Sequence, residues 1–150
     1  VWSDELVPVV SGWFPESIPA QLAASELCRY PLVLRQESSS SRSAVEQALR
    51  EAGIFPENCN VVLQVSGNEA LKRAVSAGAG IGFVSRRAVE SELASGALAT
   101  LKIEGLSITR RFYALRRPNP DLPLVEELWR YLVDNGQNPQ NMNQLNERRP

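Results

Sequence analysis

Pro31-Leu-Val-Leu-Arg35, Asn60-Val-Val-Leu-Gln-Val65 and Gly80-Ile-Gly-Phe-Val84 are three short runs, nearly continuous in apolar residues. The first is the run expected of a strand covered on both faces, and the other two read as further strands. Between the first two, Ala44, Val45, Ala48, Leu49 and Ala52 recur at helical spacing, and Gly53 follows as a stop. Between the second and third, Leu71, Ala74 and Val75 repeat the pattern before Gly78. Strands alternating with helices through short connections predict an α/β fold with a doubly wound, largely parallel sheet. Ligands of such a sheet bind beyond the carboxyl ends of its strands.

Outside this segment, Leu6–Val10 reads as a strand, with Pro8 placing it at an edge or a crossover. Gly12–Pro19 reads as a loop and Ala20–Leu27 as one or two helical turns. Arg86–Ser95 is an expected helix closed by Gly96. Leu98–Ile103 and Ile108–Leu115 are expected strands. Asp121–Val133 is an expected helix with Leu122, Val125, Leu128, Trp129 and Leu132 on one stripe. That stripe predicts self-association wherever it is left in water. Residues 134–150, rich in Asn and Gln, read as a flexible polar tail.

The chain has 150 residues, of which Leu, Ile, Val and Phe supply 41, enough for the core of one soluble domain. Sixteen basic side chains stand against 17 acidic ones. A balance of this kind argues against direct duplex DNA binding, which draws on a clustered basic excess. The absence of histidine removes Ser-His and Cys-His nucleophile pairs and imidazole metal ligands, so neither an enzyme nor a metal site is expected. Cys28 and Cys59 form neither a zinc pattern nor a CxxC pair. Reduced thiols are the default reading, and a single disulfide between them stays open for an exported protein. Val1-Trp-Ser-Asp-Glu5 carries no initiator methionine, basic region or apolar run, and reads as the start of a fragment of a longer chain. No membrane association and no cofactor are expected.

Chemistry concentrates where strands hand over to helices. Ser38–Ser41 and Arg42 follow the first strand and precede a helix, where hydroxyls and free backbone N–H groups together make an anion site. The same residues also read as caps, with Ser43 and Glu46 as a capping box. Ser66 stands at the next helix start with Glu69 three residues on, so two such starts converge on one side of the sheet. Gly78-Ala-Gly-Ile-Gly82 follows a helix and precedes a strand, the reverse of a dinucleotide fingerprint, and reads as a stop plus close packing. Arg110, Arg111, Arg116 and Arg117 read as solvated edge charges, with a phosphate or partner site as the alternative. Ala44–Phe55 is no helix-turn-helix, because Phe55-Pro56 stands where a recognition helix should begin.

Taken in order, Pro31-Leu-Val-Leu, Ser39–Arg42, Ala48-Leu-Arg-Glu-Ala-Gly-Ile54, Glu69-Ala-Leu-Lys-Arg-Ala-Val75, Gly78-Ala-Gly-Ile-Gly82, Glu92-Leu-Ala-Ser-Gly-Ala-Leu98 and Arg111-Phe-Tyr-Ala-Leu115 resemble the effector-binding domain of LysR-type transcriptional regulators, over residues 4–133. The resemblance implies a periplasmic-binding-protein-like fold of two α/β subdomains with a small effector between them. It places residues 1–11 as a crossing strand from the first subdomain and residues 12–106 as the complete second subdomain. Residues 107–133 would return to a first subdomain that is only partly present, and 134–150 would be the tail. It puts Ser39, Ser41 and Arg42 on one effector loop and Ser66, Gly67 and Asn68 on another. The first loop departs from the family in carrying serine where glycine is frequent. The implied function is sensing a small anionic metabolite in the cytoplasm, with DNA bound only through a winged helix-turn-helix domain that this chain lacks. The alternative is a solute-binding protein of a transport system, which shares the two-lobed architecture.

Overall fold

The computed structural model describes residues 2–13, 18–116 and 123–135. The strands in chain order are β1 (Trp2–Ser11), β2 (Gln21–Ala23), β3 (Leu32–Arg35), β4 (Val61–Val65), β5 (Ile81–Ser85), β6 (Leu98–Thr100), β7 (Lys102–Glu104) and β8 (Ile108–Phe112). The α-helices are α1 (Ser40–Glu51), α2 (Asn68–Ser76), α3 (Glu90–Ser95) and α4 (Pro123–Asn135). Two compact units result: Asp4–Arg110, and a smaller one of Val1–Ser3 with Arg111–Pro150.

The main sheet runs β4-β3-β5-β1-β6, with β8 also pairing β1. The expected parallel core is present: β3 pairs in parallel with both β4 and β5, with Arg35 opposite Val65 and Val33 opposite Gly82. β1 opposes its neighbours, running antiparallel to β5 and β6. β5 and β6 therefore point the same way, joined through α3 across an inserted strand. The strand and helix alternation governs β3 to β6, and β1 and β8 stand outside it. Pro8 is tolerated inside β1 because its carbonyl accepts from Leu101 N–H at 3.2 Å, so the missing donor faces the side where β6 has already ended at Thr100.

Both faces of β3 and β5 are covered, whereas the edge strand β4 leaves Val62 and Leu63 exposed. Leu32, Leu34, Ile81 and Phe83 meet Val45 and Leu49 of α1 on one face, together with Leu22 and Leu27. Val7, Val9, Val33 and Val84 meet Leu71 and Val75 of α2 on the other, together with Val89 and Leu98. This is the alternation of a strand buried on two sides.

Three expectations change. Ala20–Leu27 is not simply helical: β2 comes first and a 3₁₀ turn follows at Ala24–Arg29. Leu98–Ile103 is not one strand, because the chain leaves the main sheet at Leu101 and β7 pairs in parallel with β2 in a second, two-stranded sheet. Cys28 and Cys59 are joined as a disulfide rather than standing as free thiols. Leu32 N–H donates to Asn60 O at 2.8 Å, so the amino ends of β3 and β4 meet and bring the two cysteines to a Cα separation of 4.1 Å.

In the smaller unit α4 buries none of its described side chains fully, and Leu124, Leu128 and Val133 are exposed. Arg116 pairs with Glu126 at 2.6 Å and lies over the Trp129 ring. Leu122 of the expected stripe lies outside the described residues. So does most of the expected tail, whose first residues, 134 and 135, close α4.

Candidate functional site

Because β3 and β4 are parallel neighbours, their carboxyl ends and the helices that follow open on one edge of the sheet. α1 begins at Ser40, earlier than the expected Ser43, with Ser39 as an extended N-cap residue. Ser43 lies inside the helix: its N–H and its hydroxyl both donate to Ser39 O, at 3.1 and 3.3 Å. No Ser43–Glu46 capping box forms, since Glu46 accepts from Arg42 instead. At α2 the N-cap is Gly67 rather than Ser66, and Glu69 pairs with Lys72. The first-turn N–H groups of both helices have no intrahelical acceptor and carry the positive end of the helix dipole.

Arg35, at the end of β3, ties the two loops together. Its Nη1 donates to Asn68 Oδ1 at 2.6 Å and its Nη2 to Ser66 O at 2.9 Å. Gln36 N–H donates to Val65 O at 2.9 Å alongside. Ser66, Gly67 and Asn68 are thus held against the end of the strand that leads to Ser39, Ser41 and Arg42. Arg35 has no carboxylate partner among the described residues, and its buried Nε has no acceptor there. An added Cβ on Gly67 would meet open space. Arg42 is less available: Nε pairs with Glu46 Oε1 at 2.7 Å and Nη1 donates to Arg35 O at 3.1 Å. A side-on contact from Arg42 Nε and Nη2 to an oxyanion requires displacing Glu46, whereas Nη2 is engaged by no described residue.

Ser41 connects to a buried polar group that nothing in the sequence reading foresaw. Arg110 Nη1 donates to Ser41 Oγ at 2.8 Å, while Nε and Nη2 reach Asp4 Oδ2 at 2.8 and 2.7 Å. Ser85 donates to Asp4 Oδ1 at 2.7 Å. The side chains of Arg110 and Asp4 are 18% and 7% exposed, so Arg110 is no solvated edge charge. Its partners are 69 and 106 residues away in sequence, and no local pattern marks them.

A separate cleft of about 710 Å³ lies elsewhere, bounded by Glu5, Pro8, Arg86, Leu101, Lys102 and Ser107, and touches none of the six expected site residues. Among the described residues no cluster of three or more His, Cys, Asp or Glu side chains could hold a metal ion, and no helix is long and apolar enough to cross a membrane.

Residues 1–137 match the family described as the LysR substrate binding domain. The chain is similar to the HTH-type transcriptional regulator CbbR of Xanthobacter flavus, 32% identical over 77% of this chain and 34% of that regulator. It is 43% identical to part of the phosphonates import ATP-binding protein PhnC of Anaeromyxobacter dehalogenans, over 78% of this chain and 23% of that protein. The sequence here has no Gly-Lys dipeptide and hence no phosphate-binding loop of the Walker type. The chain thus spans about a quarter to a third of these curated relatives. In fold it is similar to the regulatory domain of Synechocystis CcmR in complex with 2-PG, with TM-score 0.69 and 20% identity over 92% of this chain and 65% of that one.

Proposed function

The chain belongs to the LysR substrate-binding domain family, and from that premise we propose that it is the effector-sensing module of a bacterial transcriptional regulator, taking a small anionic metabolite at the edge formed by Ser39, Ser41, Arg42, Ser66, Gly67 and Asn68. One observation carries the proposal: two helix N-termini open on the same sheet edge and are tied there by Arg35, a cation with no carboxylate partner among the described residues. N–H groups at the positive ends of helices, hydroxyl donors and a guanidinium suit an oxyanion. In this reading the module binds its ligand without transforming it, in keeping with a sequence that has no histidine. It works in the cytoplasm even though its Cys28–Cys59 disulfide is a bond rare in that compartment, self-associates, and transmits occupancy to a DNA-binding domain carried elsewhere in the full-length regulator. Family membership favours this over a transport solute-binding protein, which the architecture alone would also allow.

The 2-PG bound by the CcmR domain and the phosphonates named for the import protein make both classes the first probes. Calorimetry with 2-PG and with simple phosphonates should find binding in the millimolar to micromolar range, about what two or three desolvated polar contacts supply. Ser41→Ala and Ser66→Ala should each weaken it by about tenfold, the loss of one hydrogen bond to a charged group. An affinity that stays within about threefold in both variants would reduce these loops to helix caps.

A further inference from the structure

The structure assigns Arg110 as the positioning residue that sets the Ser41 hydroxyl as a hydrogen-bond donor toward an oxyanion, an inference that rests on the reading of Ser41 as part of the effector site. A guanidinium can only donate. With Arg110 Nη1 2.8 Å from Ser41 Oγ, the serine oxygen is the acceptor of that bond, and its own proton must point elsewhere. Ser41 is 8% exposed, yet among the described residues its hydroxyl donates no hydrogen bond. The neighbouring carboxylate of Asp4 is already engaged, Oδ1 by Ser85 and Oδ2 by Arg110. A buried O–H without an acceptor is unfavourable, so the site is incomplete until an acceptor arrives.

The acceptor class follows from the same geometry. A group that offers only acceptor oxygens, such as a carboxylate, phosphate or phosphonate, takes the Ser41 proton, and the adjacent guanidinium strengthens that bond by polarising the hydroxyl. A ligand presenting an N–H or ammonium group would meet a donor and a cation together. Arg110 need not touch the ligand. Its charge is matched by Asp4, its side chain is largely buried, and its effect passes through Ser41.

The test is calorimetry of the chain with 2-PG and with inorganic phosphate, on wild type, Ser41→Ala, Arg110→Lys and the double variant. Lysine keeps a charge for Asp4 and lacks the fork that reaches Ser41 at the same time. Arg110→Lys should weaken binding about tenfold, and adding it to Ser41→Ala should cost less than about threefold more, because both changes remove the same donor. Urea midpoints would separate this from a folding defect. If Arg110→Lys does not fold, the pair Asp4→Asn with Arg110→Gln removes both charges and is compared in the same two backgrounds. Arg110→Lys binding like wild type while Ser41→Ala is weakened, or effects of the two that multiply, would overturn the role of Arg110 and leave the site standing. A wild type that binds neither probe would overturn both.

Discussion

Lys72 is the charged side chain of α2 that the core accepts, at 8% exposure, beside Leu71 and Val75. Its Nζ meets Glu69 at 2.8 Å, Glu92 at 2.7 Å and the carbonyl of Ala88 at 3.0 Å, which fastens α2 to α3 and the turn before it. Glu69 is 76% exposed and screened by water, whereas Glu92 is 23% exposed, so the second pair is the stronger. Hydrogen bonds to Glu69 and Glu92 hold the lysine above its ordinary pKa, and the bond from Lys72 holds Glu92 below its own. The lysine's contribution is complete below the ordinary lysine pKa and disappears as pH rises through the raised value. The glutamate's is complete above the ordinary carboxylate pKa and disappears as pH falls through the lowered one. Lys72→Met should therefore lower stability by about 1–2 kcal/mol near neutrality, by leaving Glu92 without its cation and with only the Ser91 hydroxyl as a partner. In urea unfolding the difference from wild type should shrink as acid protonates Glu92. A difference that persists unchanged in acid would assign the loss to packing instead.

The entry of β5 shows why an element can be legible while its tolerance is not. Gly80 has φ +148°, and a Cβ there would stand 2.2 Å from Pro31 O, the oxygen that accepts Ile81 N–H at 2.8 Å. Gly82 would place its Cβ 2.7 Å from Val75 Cγ2 and 2.8 Å from Leu71 Cδ2, which are side-chain ends able to shift. Gly82→Ala should thus cost about 1–3 kcal/mol, and Gly80→Ala more than that, since the backbone must move and a parallel ladder bond goes with it. Thermal unfolding of the two variants checks the order. A Gly80→Ala chain as stable as Gly82→Ala would show that the β3–β5 entry can relax. The close-packing role of this glycine segment was readable because its position between a helix and a strand is a local fact. β2 was not readable. Three residues, Gln21–Ala23, become a strand only because β7 arrives beside them from 81 residues away. Leu98–Ile103 hid its break for the same reason: Leu101 is apolar and buried at the point where the chain changes sheets.

Across the whole molecule, what the sequence disclosed follows sequence distance. The β3-α1-β4-α2-β5 order and the two helix starts rest on patterns a dozen residues long, and they place Ser39, Ser41, Ser66 and Asn68 on one edge. Arg35 was visible only as the end of a strand, and Asp4 and Arg110 only as charges unrelated to Ser41, because pairing across 69 to 106 residues leaves no periodic trace. The α4 stripe is the opposite case, legible in period yet without a fully buried member among the described residues. Leu128 of the stripe is 55% exposed, and Leu124, on the flank outside it, is 73% exposed. Burying either against a second copy would recover about 1.5–3 kcal/mol per side chain, and a symmetric contact counts each twice. The chain should therefore show concentration-dependent association in sedimentation equilibrium, and Leu128→Glu should shift it toward monomer without loss of helical circular dichroism, because position 128 needs no burial to stay helical. Wild type that remains a monomer at every concentration, or a Leu128→Glu variant that associates as strongly, would remove α4 as the source of self-association.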